Sequence, residues 1–214
     1  MPFPSARSIR STLDHVQPRS VPAWRPLRRA WTRELTDAPP ATIFRIAEEL
    51  IDVEPWGRLT AYELLAYHPG AMAALTPGRL QRLARGLADW IGVDTFGCYV
   101  AGPAWREGQL PTTVVNRWAA SPDRWQRRLA VVCTVPLNLR ARGGTGDPAR
   151  TLALCRRVVA DRDDMVVKAL SWALRSLAVW DAAAVAAFLE EHEDAIAPRV
   201  AREVGTKLRT GRKR

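Results

Sequence analysis

Start signals for helices recur along this 214-residue chain, and their rhythm limits what it can fold into. Pro39-Pro40, Thr76-Pro77-Gly78, Ser121-Pro122-Asp123, Asp147-Pro148 and Asp163-Asp164 each set a capping oxygen or a proline where a first turn opens. A helix start leaves backbone N–H groups without partners; a Ser, Thr or Asp side chain satisfies one, and proline brings none. Between these marks apolar residues return every three or four positions, as in Trp24, Leu27, Trp31 and Leu35, then Ile43, Ile46, Ala47 and Leu50. That period is helical, and no stretch alternates as a strand would. After Thr76 the stripe runs Leu80, Leu83, Leu87, and Trp90 is expected to face inward or along the edge of the same helix.

The expected fold is therefore all-α, with about ten to twelve modest helices in antiparallel pairs stacked side by side. Trp90, Trp125 and Trp172 come at intervals compatible with degenerate repeats of roughly 40 residues, which points to a HEAT-like α-solenoid with a concave basic face. Residues 1–20, rich in Pro and Arg and poor in apolar side chains, read as a disordered basic arm; 21–208 read as the folded domain and 209–214 as a basic tail.

The formal charge is +10, and of 32 basic residues only Lys168, Lys207 and Lys213 are lysines. Guanidinium groups bind phosphate through two parallel hydrogen bonds, so a polyanionic partner is the leading expectation. Cys98, Cys133 and Cys155 are odd in number and widely spaced, which suggests neither a disulfide framework nor a zinc site. His15, His68 and His192 lack ligand spacing and read as incidental or surface residues. Arg140 to Pro148 is glycine-rich but lacks the Lys-Ser/Thr ending and preceding strand of a phosphate-binding loop. No apolar run approaches the roughly 20 residues of a membrane span.

Three constellations carry possible chemistry. Trp90 and Asp94 lie four residues apart, one helical turn, pairing an aromatic face with an anion. Arg124, Arg127 and Arg128 share a helix with Trp125. Lys168, Trp172 and Arg175 stand off the apolar stripe of Val166, Leu170, Ala173, Leu174 and Leu177, where a ring between two cations suits a nucleic-acid backbone as well as it suits a half-buried tryptophan with cations around it. Asp94 could simply cap a helix from Thr95 onward. Among so many arginines, however, a carboxylate between Val93 and Phe96 is suited to developing positive charge, such as the oxocarbenium-like sugar formed when an N-glycosidic bond breaks.

Trp90-xxx-Asp94, Arg124-Trp125-Gln126-Arg127-Arg128-Leu129 and Lys168-Ala169-Leu170-Ser171-Trp172-Ala173-Leu174-Arg175 resemble, in order and spacing, the AlkD-type DNA alkylation repair glycosylases. The resemblance implies a HEAT-like solenoid cradling duplex DNA and a monofunctional hydrolase that releases N3- or N7-alkylated purines without flipping the base and without metal or cofactor. It implies that Trp90 and Trp172 contact the lesioned nucleotide, that Asp94 stabilises the cationic sugar and positions water, and that Arg128, or else Arg127, binds phosphate with Arg124, Lys168 and Arg175 nearby. Trp24 is the candidate for a tyrosine that relatives place near DNA. A monomer in the bacterial cytoplasm, nucleoid-associated when bound, is the corresponding expectation. The competing readings are a noncatalytic solenoid for branched or distorted DNA and a HEAT-like protein scaffold. The catalytic reading further expects the Asp94 carboxyl to be dry, unpaired and near the two indoles; a carboxyl locked by guanidinium neighbours, or pointing into bulk solvent far from the indoles, overturns it.

Overall fold

The computed structural model describes residues 3–18, 20–53 and 56–211, and among them every regular element is a helix. Fifteen α-helical stretches occur there, several of them one turn long, which is why they outnumber the expectation. Backbone contacts divide the chain into two compact units, one up to Arg85 and one from Gly86 onward.

The first unit contains α1 (Ala6–Asp14), α2 (Val21–Glu34), α3 (Pro40–Leu50), α4 (Gly57–Ala66), α5 (Pro69–Ala73) and α6 (Pro77–Leu83). The basic arm is not disordered over its described residues. Ser5 and Ser8 form a reciprocal capping box, and Ala6, Ile9 and Leu13 make a buried stripe, with α1 packed on α3. A capped helix with a fully buried Ile9 gains from apolar burial what its composition seemed to deny it. Two other expectations are corrected in this unit. His68 is buried rather than incidental: its ring accepts from the Ala71 N–H as the cap of α5 and pairs with the Ala38 carbonyl. Trp24 is 1% exposed and donates to Thr60 Oγ1, which excludes it from any surface contact in this conformation.

The second unit contains α7 (Trp90–Phe96), which passes through a π-helical segment (Gly97–Ala101) into α8 (Gly102–Arg106), followed by α9 (Thr112–Ala119) and α10 (Arg124–Val132). Then come α11 (Val135–Asn138), a 3-10 turn (Arg140–Arg142), α12 (Pro148–Arg157), α13 (Asp164–Leu177), α14 (Ala182–Glu191) and α15 (Pro198–Thr210). The last helix runs on to Thr210, two residues into the expected tail; the basic residues beyond Gly211 lie outside the described residues.

Within this unit α10 packs on α7, α9 and α13, and α13 in turn packs on α12 and α15. The sequence explains the closeness of α7 and α10. A Cβ added at Gly97 would meet Val132 Cγ1 at 2.7 Å, so only glycine lets the π-helical segment approach α10 this tightly. The core between them is Val93, Phe96, Leu129 and Val132, all essentially inaccessible.

Candidate nucleic-acid interface

Trp90 does not continue the preceding helix. Gly86, at φ 66, turns the chain after α6, and Asp89 restarts it by accepting the Gly92 N–H at 2.9 Å. Trp90 is therefore the first residue of α7 rather than an inward-facing member of the earlier stripe, and it is 55% exposed, with Ile91 46% exposed beside it. Asp94 lies one turn further along the same helix, inside it rather than capping a new one.

The Asp94 carboxylate is not unpaired. Arg128 Nε donates to Oδ1 at 2.9 Å and Nη2 donates to Oδ2 at 2.7 Å, a two-point ion pair in which the side chains are 7% (Arg128) and 19% (Asp94) exposed. The same guanidinium donates through Nη1 to the Met165 carbonyl at the start of α13. One side chain thus bolts α7, α10 and α13 together. This corrects two expectations at once: the carboxyl is held by a guanidinium, and Arg128 has its donors committed inside the protein instead of facing a phosphate. The physical reason is that a buried guanidinium needs acceptors on several sides, and α7 and α13 supply them. Burial holds the Asp94 carboxyl above its ordinary value of 3.8, the loss of hydration outweighing the opposing pull of Arg128.

Arg127 is engaged as well, donating through Nε to Asp161 at 2.6 Å and through Nη1 to the carbonyls of Ser121 and Pro122. It ties α10 to the turn before α13 and to its own N-terminal approach. Of the three arginines only Arg124 is largely open; it is 55% exposed, 3.7 Å from Asp163 and 5.0 Å from the centre of the Trp125 ring.

Lys168, Trp172 and Arg175 do gather in one place. They line a groove of about 600 Å³ between α13 and α15, to which α15 adds Arg199, Glu203 and Lys207. Trp172 is half-buried. It stands seven residues beyond Met165 on α13, which at 1.5 Å per residue is ~10 Å from the point where Arg128 touches that helix. The α15 members are absent from the sequence-based site, although Arg199, Glu203 and Lys207 fall at intervals of four, the spacing of one helical face.

The chain is an α-helical protein of net charge +10 whose second unit offers an open tryptophan and a cation-lined groove, features suited to a polyanion. The sequence matches the family described as DNA alkylation repair enzyme over residues 19–208, and the chain belongs to that family. That membership supports a role as an enzyme of DNA repair and an interaction with DNA. No curated protein matches the chain.

The raised Asp94 value has a consequence for pH. Its neutral form is favoured on folding, so the contribution of this group to stability is fully present below 3.8 and is lost as pH rises through its higher folded value. If the ionised carboxylate serves the reaction, enzyme-dependent activity should fall in acid with a midpoint above 3.8, and Asp94→Asn should remove that limb. Rates corrected for spontaneous base loss at each pH would show it; a limb at or below 3.8 would separate Asp94 from the reaction.

Proposed function

We propose that this protein is a monofunctional DNA glycosylase that hydrolyses the N-glycosidic bond of N3- or N7-alkylated purines in duplex DNA. The observation that carries the reading is the Asp94 carboxyl, one-fifth exposed and one turn from the exposed Trp90, in a member of the alkylation repair family. Its role differs from that of a lone anion. A carboxylate has about four acceptor positions, and the Arg128 pair occupies two of them. The others can receive a water, so the ion pair fixes the carboxyl and the carboxyl aims the water.

An alkylated purine already carries positive charge and leaves as a neutral base, taking the bonding electron pair with it. The sugar becomes oxocarbenium-like, and water adds at the anomeric carbon and gives up its proton to solvent, which completes the charge balance. Asp94 stabilises that cation less than a free carboxylate would, because Arg128 offsets part of its field. Trp90 offers an indole face to the sugar or to the cationic base. No step requires protonation of the leaving base, which suits cationic lesions and not undamaged purines. A HEAT-like arrangement of helix pairs and action as a monomer in the bacterial cytoplasm belong to the same reading.

The ion pair also favours a second reading, in which Asp94 and Arg128 are only a bolt and the protein recognises distorted DNA without cutting the bond. The two are separated by incubating the protein with methylated duplex DNA and assaying free 7-methylguanine and 3-methyladenine. Release above the spontaneous rate is expected. Tight binding to branched DNA with no release would decide for the second reading.

A further inference from the structure

The groove between α13 and α15 is more than the surroundings of Trp172. Lys168 pairs with Asp164 at 2.6 Å, and Arg199 lies 2.8 Å from Glu203 and 3.2 Å from Asp164. Arg175 stands 3.7 Å from the same Glu203, whose Oε2 also accepts from the Ser171 hydroxyl at 2.6 Å. Lys207 donates to the Gly211 carbonyl. Three cations thus share two carboxylates and Lys207 pairs with neither, which leaves a surplus of positive charge beside an apolar wall of Trp172 and Val179, the latter 57% exposed. A cationic rim against a flat apolar surface matches a nucleotide unit, whose sugar or base lies on the indole while its phosphate takes the charge. An acidic peptide would use the cations and leave the wall without a partner.

We propose that this groove seats a phosphodiester of a DNA strand, with Lys207 and Arg199 as phosphate donors added to Lys168, and with Glu203 as an internal anion that holds Arg199 and Arg175 in place and competes with the incoming phosphate. The proposal rests on the DNA-directed part of the function above and extends it to α15. It does not depend on bond cleavage. Glu203 is the informative member. In a purely structural cluster its loss disturbs the site, whereas in a phosphate site it removes a competitor and a repulsive charge.

The test is fluorescence anisotropy of an undamaged 20-base-pair duplex titrated with the full chain at salt concentrations from 50 to 200 mM. Lys207→Gln and Arg199→Gln should each weaken binding and lower the slope of log affinity against log salt by about one, so that each variant loses roughly threefold less affinity than wild type across that range. Glu203→Gln should tighten binding severalfold at 50 mM salt. Unchanged affinity and slope in Lys207→Gln would overturn the proposal, as would weaker binding by Glu203→Gln. Circular dichroism checks the fold; if Arg199→Gln does not fold, Lys207→Gln, a change at a partly exposed position in the last turn of α15, decides alone. Because the duplex is undamaged, these results stand whether or not the protein releases a base.

Discussion

Arg128→Met is expected to lower the melting temperature by about 6–12 °C, since removing one partner of a buried pair costs about 3 kcal/mol and a chain of this size shifts roughly 2–4 °C per kcal/mol. The lower end of the usual range applies because the Asp94 side chain is 19% exposed and recovers some hydration. Methionine keeps most of the volume in the α7–α10–α13 junction. What is lost is the partner of a carboxylate whose ionised form burial already disfavours, together with the Nη1 bond to Met165. That same raised value predicts the outcome of repairing the defect from the other side. If the desolvated pair barely repays its own burial, Asp94→Leu combined with Arg128→Met should regain most of the loss, because an apolar replacement of both partners leaves no stranded charge. Thermal melts at pH 7 followed by circular dichroism would measure both. A single variant as stable as wild type would mean that the three helices are held without this bolt.

The pair also marks the limit of what could be read from the residues. Helix identity was legible because its causes are local: Asp123 and Asp163 cap α10 and α13 through bonds to residues two positions on, and α13 opens at the Asp163-Asp164 start signal and ends with its apolar stripe at Leu177. Lys168, Trp172 and Arg175 were placed together correctly for the same reason, being neighbours on one helix. Arg128 and Asp94 are 34 residues apart, and nothing in local spacing says that two opposite charges will find each other across a helix junction. Once a net charge of +10 suggests a polyanion, each arginine looks free for phosphate. Arg127 and Arg128 are not free, since burial obliges them to find acceptors within the fold. Two further departures from the expected structure have local causes. Gly86 with φ 66 ends the helix stripe before Trp90, and Ser5 to Ser8 with Ala6, Ile9 and Leu13 is a capped amphipathic helix inside an arginine-rich arm. Composition outweighed pattern there, and pattern was the better guide.

Asp94→Asn should reduce release of 7-methylguanine from methylated duplex DNA by about 10²–10³-fold, the usual range for losing one preorganised electrostatic contact at a reacting centre. Asparagine is nearly isosteric and its carbonyl oxygen can still accept from Arg128 Nε. Its amide nitrogen, however, would face the Nη2 donor that now lies 2.7 Å from Oδ2, so the two-point grip is halved and the negative charge is gone. Affinity for undamaged DNA should stay close to wild type, because an anionic carboxyl is no donor to a phosphate. The comparison that separates chemistry from scaffold is with Arg128→Met, which breaks the same bolt and keeps the carboxylate. If the pair serves only to hold α7, α10 and α13 together, loss of release will follow loss of melting temperature, and Arg128→Met will be the more damaged of the two. If Asp94 aims the water and faces the sugar, Asp94→Asn will lose far more activity than its melting temperature accounts for, while Arg128→Met, assayed well below its lowered melting point, will retain more. Single-turnover release at saturating enzyme, normalised to the folded fraction of each variant, gives that ratio directly, and an Asp94→Asn variant that releases base at the wild-type rate would leave the carboxylate with no part in the reaction.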